Sequence, residues 1–186
     1  MVKFRSMTSS EYKMDRSTFK LLYAFHSTPF GKCLIAITAT SKAIVYLGFV
    51  DGIEAYALKV LKNEWPLSEI SEDTGDGTKN IVEEVFQPDV TSLDSICVLL
   101  KGTSFQVKVW KSLMTIPRGE SITYEEVAKI IQHPKAIRPV GNAISKNRVA
   151  YIVPCHRVTG KKAENDKYAW GVQRKKAILK YERDSA

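Results

Sequence analysis

The pattern of apolar residues changes near Lys101 and Gly102, and this change constrains the fold more than any other feature of the chain. Before it, three short runs rich in β-branched and aromatic residues follow one another, at Leu21–Ser27, Cys33–Thr40 and Ile44–Val50. Turn-forming residues separate these runs, which predicts a three-stranded antiparallel meander. After the change, apolar residues recur at helical spacing, which predicts a mostly helical second half.

Helical and extended segments complete the first half. Helical periodicity over Glu54–Trp65, followed by a proline, predicts a helix, and Asn80–Phe86 predicts a shorter one. The acidic stretch Ser68–Thr78, with its two glycines, is interpreted as a loop. Leu93–Leu100 is typical of an extended segment, and residues 1–18 are polar and irregular, so we expect them to form a loose tail.

Two short helices with a tight break between them are predicted in the second half. Thr123 and Glu126 have the spacing of a capping box, which places a helix start there. A second helix is expected over Ala136–Ser145, where Pro139 is tolerable only in the first turn. With the cations that this second helix carries, the pair is typical of a helix-turn-helix motif.

Charge is distributed unevenly along the chain. Residues 1–100 hold 10 Lys and Arg against 13 Asp and Glu, a net −3, whereas residues 101–186 hold 18 against 7, a net +11. A basic segment of domain size indicates a polyanionic partner, most simply nucleic acid; the alternative is a merely solvated basic surface. We expect a tail over 1–18, a structural α/β domain over 19–100 and a DNA-binding domain over 101–186.

Composition excludes several classes of protein. No run approaches the roughly 20 apolar residues of a membrane span, and the first residues lack the apolar stretch of a secretory signal. Three scattered cysteines, Cys33, Cys97 and Cys155, form no paired framework, which fits a reducing, intracellular compartment. Without a Cys-x-x-Cys pair, and with only three histidines, we expect no metal site and no cofactor.

One run carries more chemistry than the others, the segment Ile152–Val158, with the sequence Ile-Val-Pro-Cys-His-Arg-Val. A cysteine attacks as its thiolate, and a free thiol with a pKa near ~8.5 is mostly protonated at neutral pH. An adjacent histidine can act as the base, so Cys155 and His156 are a candidate nucleophile and base. An inert core cysteine would fit the same apolar run.

Several motifs follow one another between residues 102 and 182. They are Gly102–Gln106 with Trp110, Ile116–Gly119, Thr123–Tyr124, Arg138–Ala143, Asn147, Val153–Val158 and Tyr168–Gly171, and then a lysine-rich helix ending in Glu182. In this order they resemble the O6-alkylguanine-DNA alkyltransferases, a family of suicidal DNA repair proteins. The first half resembles the family's N-terminal domain more weakly, mainly through the Ser-Thr-Pro-Phe-Gly sequence of residues 27–31.

The resemblance implies an α/β (α+β) fold. Its N-terminal part would be a three-stranded antiparallel sheet with helices, of the ribonuclease H-like type, and its C-terminal part a mostly helical winged-helix or helix-turn-helix domain with the active cysteine. The implied reaction begins when a monomer binds duplex DNA in the minor groove and flips an O6-alkylguanine out of the stack. The alkyl group then moves to the protein's own cysteine, once and irreversibly, without a cofactor. A protein that repairs DNA is expected in the nucleus of a eukaryote or the cytoplasm of a prokaryote.

The resemblance also implies roles for individual residues. Cys155 is the alkyl acceptor, His156 is the base that takes its proton through a water, and Glu182 orients that histidine. Tyr124 would hydrogen-bond the flipped guanine and donate a proton as the base leaves. Asn147 would hold the loop beneath the cysteine.

The resemblance implies two further sets of residues, one that contacts the DNA and one that surrounds the alkyl group. The DNA contacts would come from Tyr124, Lys135, Arg138, Gly141, Ala143 and Lys146. The pocket would be lined by Val153, Tyr168, Ala169 and Trp170. Many members have glycine where this chain has Trp170, so the bulky ring predicts that benzyl adducts are rejected while methyl adducts are admitted.

Three other functions remain open at this stage. A lesion sensor of alkyltransferase type would bind damaged DNA without repairing it, although such relatives lack the acceptor cysteine. A helix-turn-helix regulator would keep Cys155 as an inert core residue. A cysteine hydrolase would need an oxyanion site and a deacylating water, and the sequence identifies neither.

Overall fold

Six strands form one mixed sheet in the first half of the chain, in the spatial order β1-β6-β4-β3-β2-β5. The strands are β1 (Lys3–Met7), β2 (Lys20–Thr28), β3 (Gly31–Thr38), β4 (Ile44–Phe49), β5 (Glu69–Glu72) and β6 (Cys97–Lys101). The helices of this half are α1 (Ser9–Met14), α2 (Glu54–Glu64) and α3 (Gly77–Val85). The computed structural model describes residues 2–14, 19–87, 93–161 and 167–185, and the chain divides into two compact units, residues 1–103 and 104–186.

The predicted meander is the centre of this sheet. β3 pairs antiparallel with β2 on one side and with β4 on the other, which confirms the antiparallel arrangement. Every residue of β4 and the last six residues of β3 are buried. Strands that are covered on both faces need continuous apolar runs, and these two strands have them.

The sheet is larger than the three strands predicted, because parallel strands extend both of its edges. β6 pairs with β4 and β1 pairs with β6 on one side, while β5 pairs with β2 on the other. β5 has the sequence Glu-Ile-Ser-Glu, and charged residues are common on edge strands, where they discourage pairing with other chains. Because β5 is acidic, the sequence pattern predicted a loop at these residues.

The N-terminal segment is ordered through residue 14, so the prediction of a loose tail is wrong for residues 3–14. Tyr12 of α1 is only 2% exposed. Its hydroxyl lies 2.9 Å from Ser68 Oγ and accepts a hydrogen bond from the Leu67 amide at 2.9 Å. Its ring packs edge-on against Trp65, with centroids 5.0 Å apart. The prediction missed this order because one anchoring aromatic residue in a polar segment leaves no periodic pattern in the sequence. Residues 15–18 lie outside the described residues.

Helices dominate the second unit, as predicted. Its elements are α4 (Ser104–Leu113), β7 (Ile122–Thr123), α5 (Tyr124–Ile130), α6 (Ile137–Ser145), a 3₁₀ turn (Cys155–Arg157), β8 (Val158–Thr159) and α7 (Val172–Asp184). The capping box between Thr123 and Glu126 is confirmed. Pro139 is the third residue of α6, where a helix has no partner for the missing N–H. Among the described residues, no helix is long and apolar enough to cross a membrane.

Candidate active site

Two tight turns shape the loop that leads to Cys155. In the first, the Ile152 amide donates to the Ala150 carbonyl at 2.7 Å, and the central residue Tyr151 has a left-handed φ of 64°. In the second, the Cys155 amide donates to the Val153 carbonyl at 2.8 Å around Pro154. A left-handed conformation costs a bulky residue about 1–2 kcal/mol, so the first turn stores strain four residues before the cysteine.

Asn147 fastens this loop from beneath. Its side-chain amide donates to the Val153 carbonyl at 3.0 Å and to the Cys155 sulfur at 3.2 Å, and its side-chain oxygen accepts from the Val149 amide at 2.9 Å. Asn147 is 2% exposed, so these bonds form away from water. It follows α6 and the cap residue Lys146, which ties the loop to the end of that helix.

The thiol itself is buried and stays protonated in the resting protein. Cys155 is 5% exposed, and burial raises the pKa of its thiol to about 11, although the hydrogen bond from Asn147 and the charge of Lys175 lower it. A pKa about 4 units above neutral pH corresponds to about 5 kcal/mol for ionisation. A nucleophilic role therefore requires a base that removes the proton during the reaction.

His156, the next residue in the chain, is the candidate for that base. It is fully buried, and its Nε2 lies 2.9 Å from Glu182 Oε1. Burial lowers the pKa of the imidazole, which favours the neutral ring. Because an ionised carboxylate only accepts hydrogen bonds, Nε2 must carry the proton, and Nδ1 is left as the basic nitrogen. Nδ1 is buried and has no hydrogen-bond partner among the described residues.

Glu182 is held as an anion by four hydrogen bonds. Besides His156, its oxygens accept from Arg157 Nε at 3.0 Å, from Arg157 Nη2 at 2.7 Å and from the Gly119 amide at 3.1 Å. Burial alone would raise the pKa of Glu182, but the hydrogen bonds from His156 and Arg157 outweigh it and lower the pKa to about 2. The sequence-predicted set Cys155, His156, Glu182 and Asn147 thus lies in one connected cluster.

The structure adds two residues that the sequence reading missed. Arg157 also donates from Nη1 to the Ile116 carbonyl at 2.7 Å, which fixes its guanidinium against Glu182. Lys175 is fully buried and donates to the Val158 carbonyl at 2.7 Å. A signal for Lys175 exists in the sequence, since Lys175, Ile178 and Glu182 share one helical face and all three are buried.

Aromatic rings surround the base and the predicted pocket. The Tyr151 ring stacks on the His156 imidazole with centroids 6.0 Å apart, and the Tyr168 ring meets the imidazole edge-on at 6.4 Å. Trp170 packs edge-on against Tyr168 at 5.3 Å. Of the predicted lining residues, Val153 is fully buried, Tyr168 and Trp170 are partly buried, and Ala169 is exposed.

The predicted DNA-contact residues lie on α5, α6 and the turns beside them. Lys135, Arg138 and Lys146 are exposed, and Tyr124 and Gly141 are partly exposed. A Cβ built on Gly141 would lie 3.9 Å from the Tyr124 ring, so the two residues are neighbours with room between them.

Ala143 does not fit its predicted place. It is 2% exposed, and its carbonyl accepts a hydrogen bond from Trp110 Nε1 at 2.8 Å. The prediction that Ala143 contacts DNA is contradicted by this burial. The reason is the helical period, because Val140, Ala143 and Ile144 together form the inward face of α6.

Comparison with known proteins places this site in a family. A methylated-DNA–protein-cysteine methyltransferase of Methanosarcina acetivorans is 36% identical over 164 residues, which cover 87% of this chain and 98% of the relative. This chain belongs to the methylated-DNA–protein-cysteine methyltransferase family. The model of the 6-O-methylguanine DNA methyltransferase DNA-binding domain matches residues 104–184, which include the whole cluster from Asn147 to Glu182.

Other members of the methyltransferase family match different shares of the chain. The bifunctional transcriptional activator/DNA repair enzyme Ada of Escherichia coli is 30% identical over 182 residues, 96% of this chain and 50% of Ada. A Kluyveromyces lactis methyltransferase is 41% identical over 86 residues, 46% of each protein. The chain therefore spans about half the length of these two relatives.

Solved methyltransferase structures have the same mixed α/β fold. Mycobacterium tuberculosis O6-methylguanine methyltransferase matches with a TM-score of 0.69 and 30% identity, over 89% of this chain and 94% of that one. The M. tuberculosis OGT structure in complex with DNA matches with a TM-score of 0.67, 30% identity and the same coverage. The likeness thus extends over both units of the chain.

Proposed function

We propose that this protein repairs DNA by moving the alkyl group of an O6-alkylguanine to Cys155, once and irreversibly. The observation that carries the proposal is the chain of contacts from Asn147 to the Cys155 sulfur and from His156 to Glu182. It supplies a positioned thiol, a neutral base with a free nitrogen, and a carboxylate that stabilises the base once it is protonated.

The proposed step is a nucleophilic substitution at the alkyl carbon. His156 Nδ1 takes the proton that the Cys155 thiol loses, and the sulfur attacks the alkyl carbon. The carbon–oxygen bond breaks, so that a thioether forms and the electron pair stays on the guanine. Tyr124 donates its hydroxyl proton to the departing guanine and regains a proton from water. The thioether has no route to hydrolysis, so each protein acts once.

DNA binding is proposed for the surface around α5 and α6. The net +11 of residues 101–186 supplies attraction to phosphates, and the exposed Arg138 and Lys135 project from the α6 region. Insertion of Arg138 would fill the space that a flipped base leaves in the stack. We extend the proposal to O4-alkylthymine as a second substrate, with residues 101–186 as the DNA-binding and acceptor domain.

The finer architecture is part of the proposal. A ribonuclease H-like N-terminal domain over 19–100 and a winged-helix C-terminal domain stay predictions, supported by the mixed sheet in one unit and by the α5–α6 pair in the other. We also propose that the protein is a monomer. It would act in the compartment that holds DNA, which is the nucleus or a prokaryotic cytoplasm.

One mass measurement tests the proposal. The protein is incubated with a duplex that carries one O6-methylguanine, and its peptides are weighed. We expect a gain of one methyl group on the Cys155 peptide, at one event per protein, and none on the peptides of Cys33 and Cys97. A Cys155→Ala variant should bind the duplex without transfer. Binding by the unaltered protein with no change in mass would identify a lesion sensor or a regulator and overturn the proposal.

Gly141 provides a separate test of the DNA surface. Because an added Cβ would meet Tyr124 only at 3.9 Å, Gly141→Ala should fold normally and gain about 0.5–1 kcal/mol in helix stability. If α6 approaches the groove closely at this residue, the same variant should bind duplex DNA more weakly. Unchanged affinity, measured by fluorescence anisotropy, would contradict this placement of α6.

A further inference from the structure

Tyr151 is a buried residue with an unusual backbone. Three non-glycine residues among the described ranges have a positive φ, namely Lys42, Gln132 and Tyr151. Lys42 and Gln132 are exposed, whereas Tyr151 is 8% exposed. A bulky aromatic residue at the centre of a left-handed tight turn is a strained arrangement, and such strain persists where the surrounding structure requires it.

The contacts of the Tyr151 ring indicate why the strained backbone at this residue is kept. The ring lies nearly parallel to the His156 imidazole, at an interplanar angle of 18° and a centroid distance of 6.0 Å. The hydrogen bond to Glu182 fixes one end of the imidazole, but a single bond leaves the ring free to tilt about it. The Tyr151 ring, which lies nearly parallel to the imidazole, limits this tilt.

The ring also controls the surroundings of the base. Three charged groups act on His156: Glu182, which favours its protonation, and Arg157 and Lys175, which oppose it. The Tyr168 ring makes a further, T-shaped contact with the imidazole. Tyr151 adds an aromatic ring beside the imidazole that keeps water away from the neutral base. Burial raises the pKa of the Tyr151 hydroxyl to about 12, so this neighbour stays uncharged.

We propose that Tyr151 is a positioning residue for the alkyl transfer, whose ring fixes the plane of the His156 imidazole and directs Nδ1 toward the thiol proton. The inference rests on the function proposed above and adds one residue to its machinery. The left-handed turn at Tyr151 then places the ring beside His156. The positioning of the imidazole depends on this ring and not on the hydroxyl.

Four variants test the role of the ring through the rate of a single turnover. Tyr151→Asn and Tyr151→Gly accept the left-handed backbone but lack the ring, and Tyr151→Phe keeps the ring without the hydroxyl. Gln132→Gly is the matched control, because it relieves a φ of 62° at an exposed position of the same unit. Methyl transfer from an O6-methylguanine duplex should slow roughly 10-fold or more in the Asn and Gly variants. The Phe variant should recover most of the rate, and the control should match the unaltered protein.

The pH profile adds a readout that a merely structural role would not move. Loss of the ring admits water to His156, which raises its lowered pKa back toward 6.5. The base acts only when neutral, so the rise of the rate with pH should move to higher pH in the Asn and Gly variants. Duplex affinity should stay unchanged, because Tyr151 is buried.

NMR separates a failure of this inference from a failure of the proposed function. The chain has three histidines, so histidine-labelled protein gives three imidazole signals, which His26→Asn and His133→Asn variants assign. The His156 signal should show a ring-current shift that Tyr151→Phe retains and Tyr151→Asn loses. A protein that never methylates Cys155 would overturn the proposed function alone. Folded Asn and Gly variants with an unaltered rate, or a Phe variant as slow as they are, would overturn the role of Tyr151.

Discussion

The side-chain amide of Asn147 lies 3.2 Å from the sulfur of Cys155, across eight residues of chain. The same amide group holds the Val153 carbonyl at 3.0 Å. One buried side chain therefore supports both the loop that carries Cys155 and the thiol itself. Because the thiol gains only a weak hydrogen bond, most of the contribution of Asn147 to stability should come from the backbone groups that it satisfies.

Asn147→Ala should lower the free energy of unfolding by about 2–4 kcal/mol, because the Val149 amide and the Val153 carbonyl would remain buried without their partner. Urea denaturation measures this change. Asn142→Ala is the matched control, since Asn142 is exposed on α6 and its replacement should change stability by less than about 0.5 kcal/mol. Equal losses in the two variants would contradict the assigned role of Asn147.

Glu182 makes stability depend on acid pH. Its pKa is lowered from 4.5 to about 2 in the folded protein, so its stabilising contribution is complete above the unfolded pKa and is lost as the pH falls toward about 2. The shift corresponds to about 3 kcal/mol. Urea denaturation at several pH values from about 6 to about 2 should reveal this decline, and Glu182→Gln should lack that part of it. A variant with the same pH dependence as the unaltered protein would contradict the assignment.

Alanine substitutions at Gly119 and Gly52 distinguish the cost of a steric contact from the cost of backbone strain. Both have a positive φ, 77° and 94°, but a Cβ on Gly119 would lie 2.9 Å from Arg183 Cγ and 3.2 Å from the backbone of the same residue, whereas a Cβ on Gly52 meets nothing within 4 Å. Both alanine variants should lose about 1 kcal/mol to the left-handed backbone. Gly119→Ala should lose a further 1–3 kcal/mol, because α7 must shift. Equal melting temperatures for the two variants would contradict the contact with α7.

Trp170 is expected to limit the size of the adduct. Its ring packs on Tyr168, and Tyr168 contacts His156, which places the indole beside the proposed pocket. Trp170→Gly should raise the rate with O6-benzylguanine DNA by at least about 10-fold relative to the rate with O6-methylguanine DNA. Single-turnover kinetics with both duplexes measure the ratio. An unaltered ratio would show that the indole does not restrict the pocket.

The sequence predicted best the parts of the fold that are periodic or locally encoded. The buried strands β3 and β4, the helix over Glu54–Glu64 and the capping box at Thr123 all carry such signals, and all are confirmed. The short edge strand β5 and the N-terminal strand β1 carry none. Their strand conformation depends on pairing with residues far away in the chain, so neither was predicted.

The candidate site also has residues that the sequence predicted and features that only the structure shows. Cys155, His156, Asn147 and Glu182 came from ordered motifs, and the structure brings them together. The lowered pKa of Glu182 and the part played by Arg157 follow from contacts between α7 and the 3₁₀ turn, which no local pattern encodes. Ala143 was assigned to DNA because a small residue near a cation suits a groove, but the helical period turns it inward.

The parallel pairing of β1 with β6 has a consequence for biosynthesis. β1 ends at Met7 and β6 begins at Cys97, so the partner of β1 is translated about ninety residues later. At roughly 5–20 residues per second, the ribosome needs on the order of 5–20 seconds to supply it. The hairpins of β2, β3 and β4 can form during this delay, because their partners are close in sequence. The nascent N-terminal segment must wait with an unpaired edge, and a shortened chain without β1 would leave that edge on β6 open to other chains.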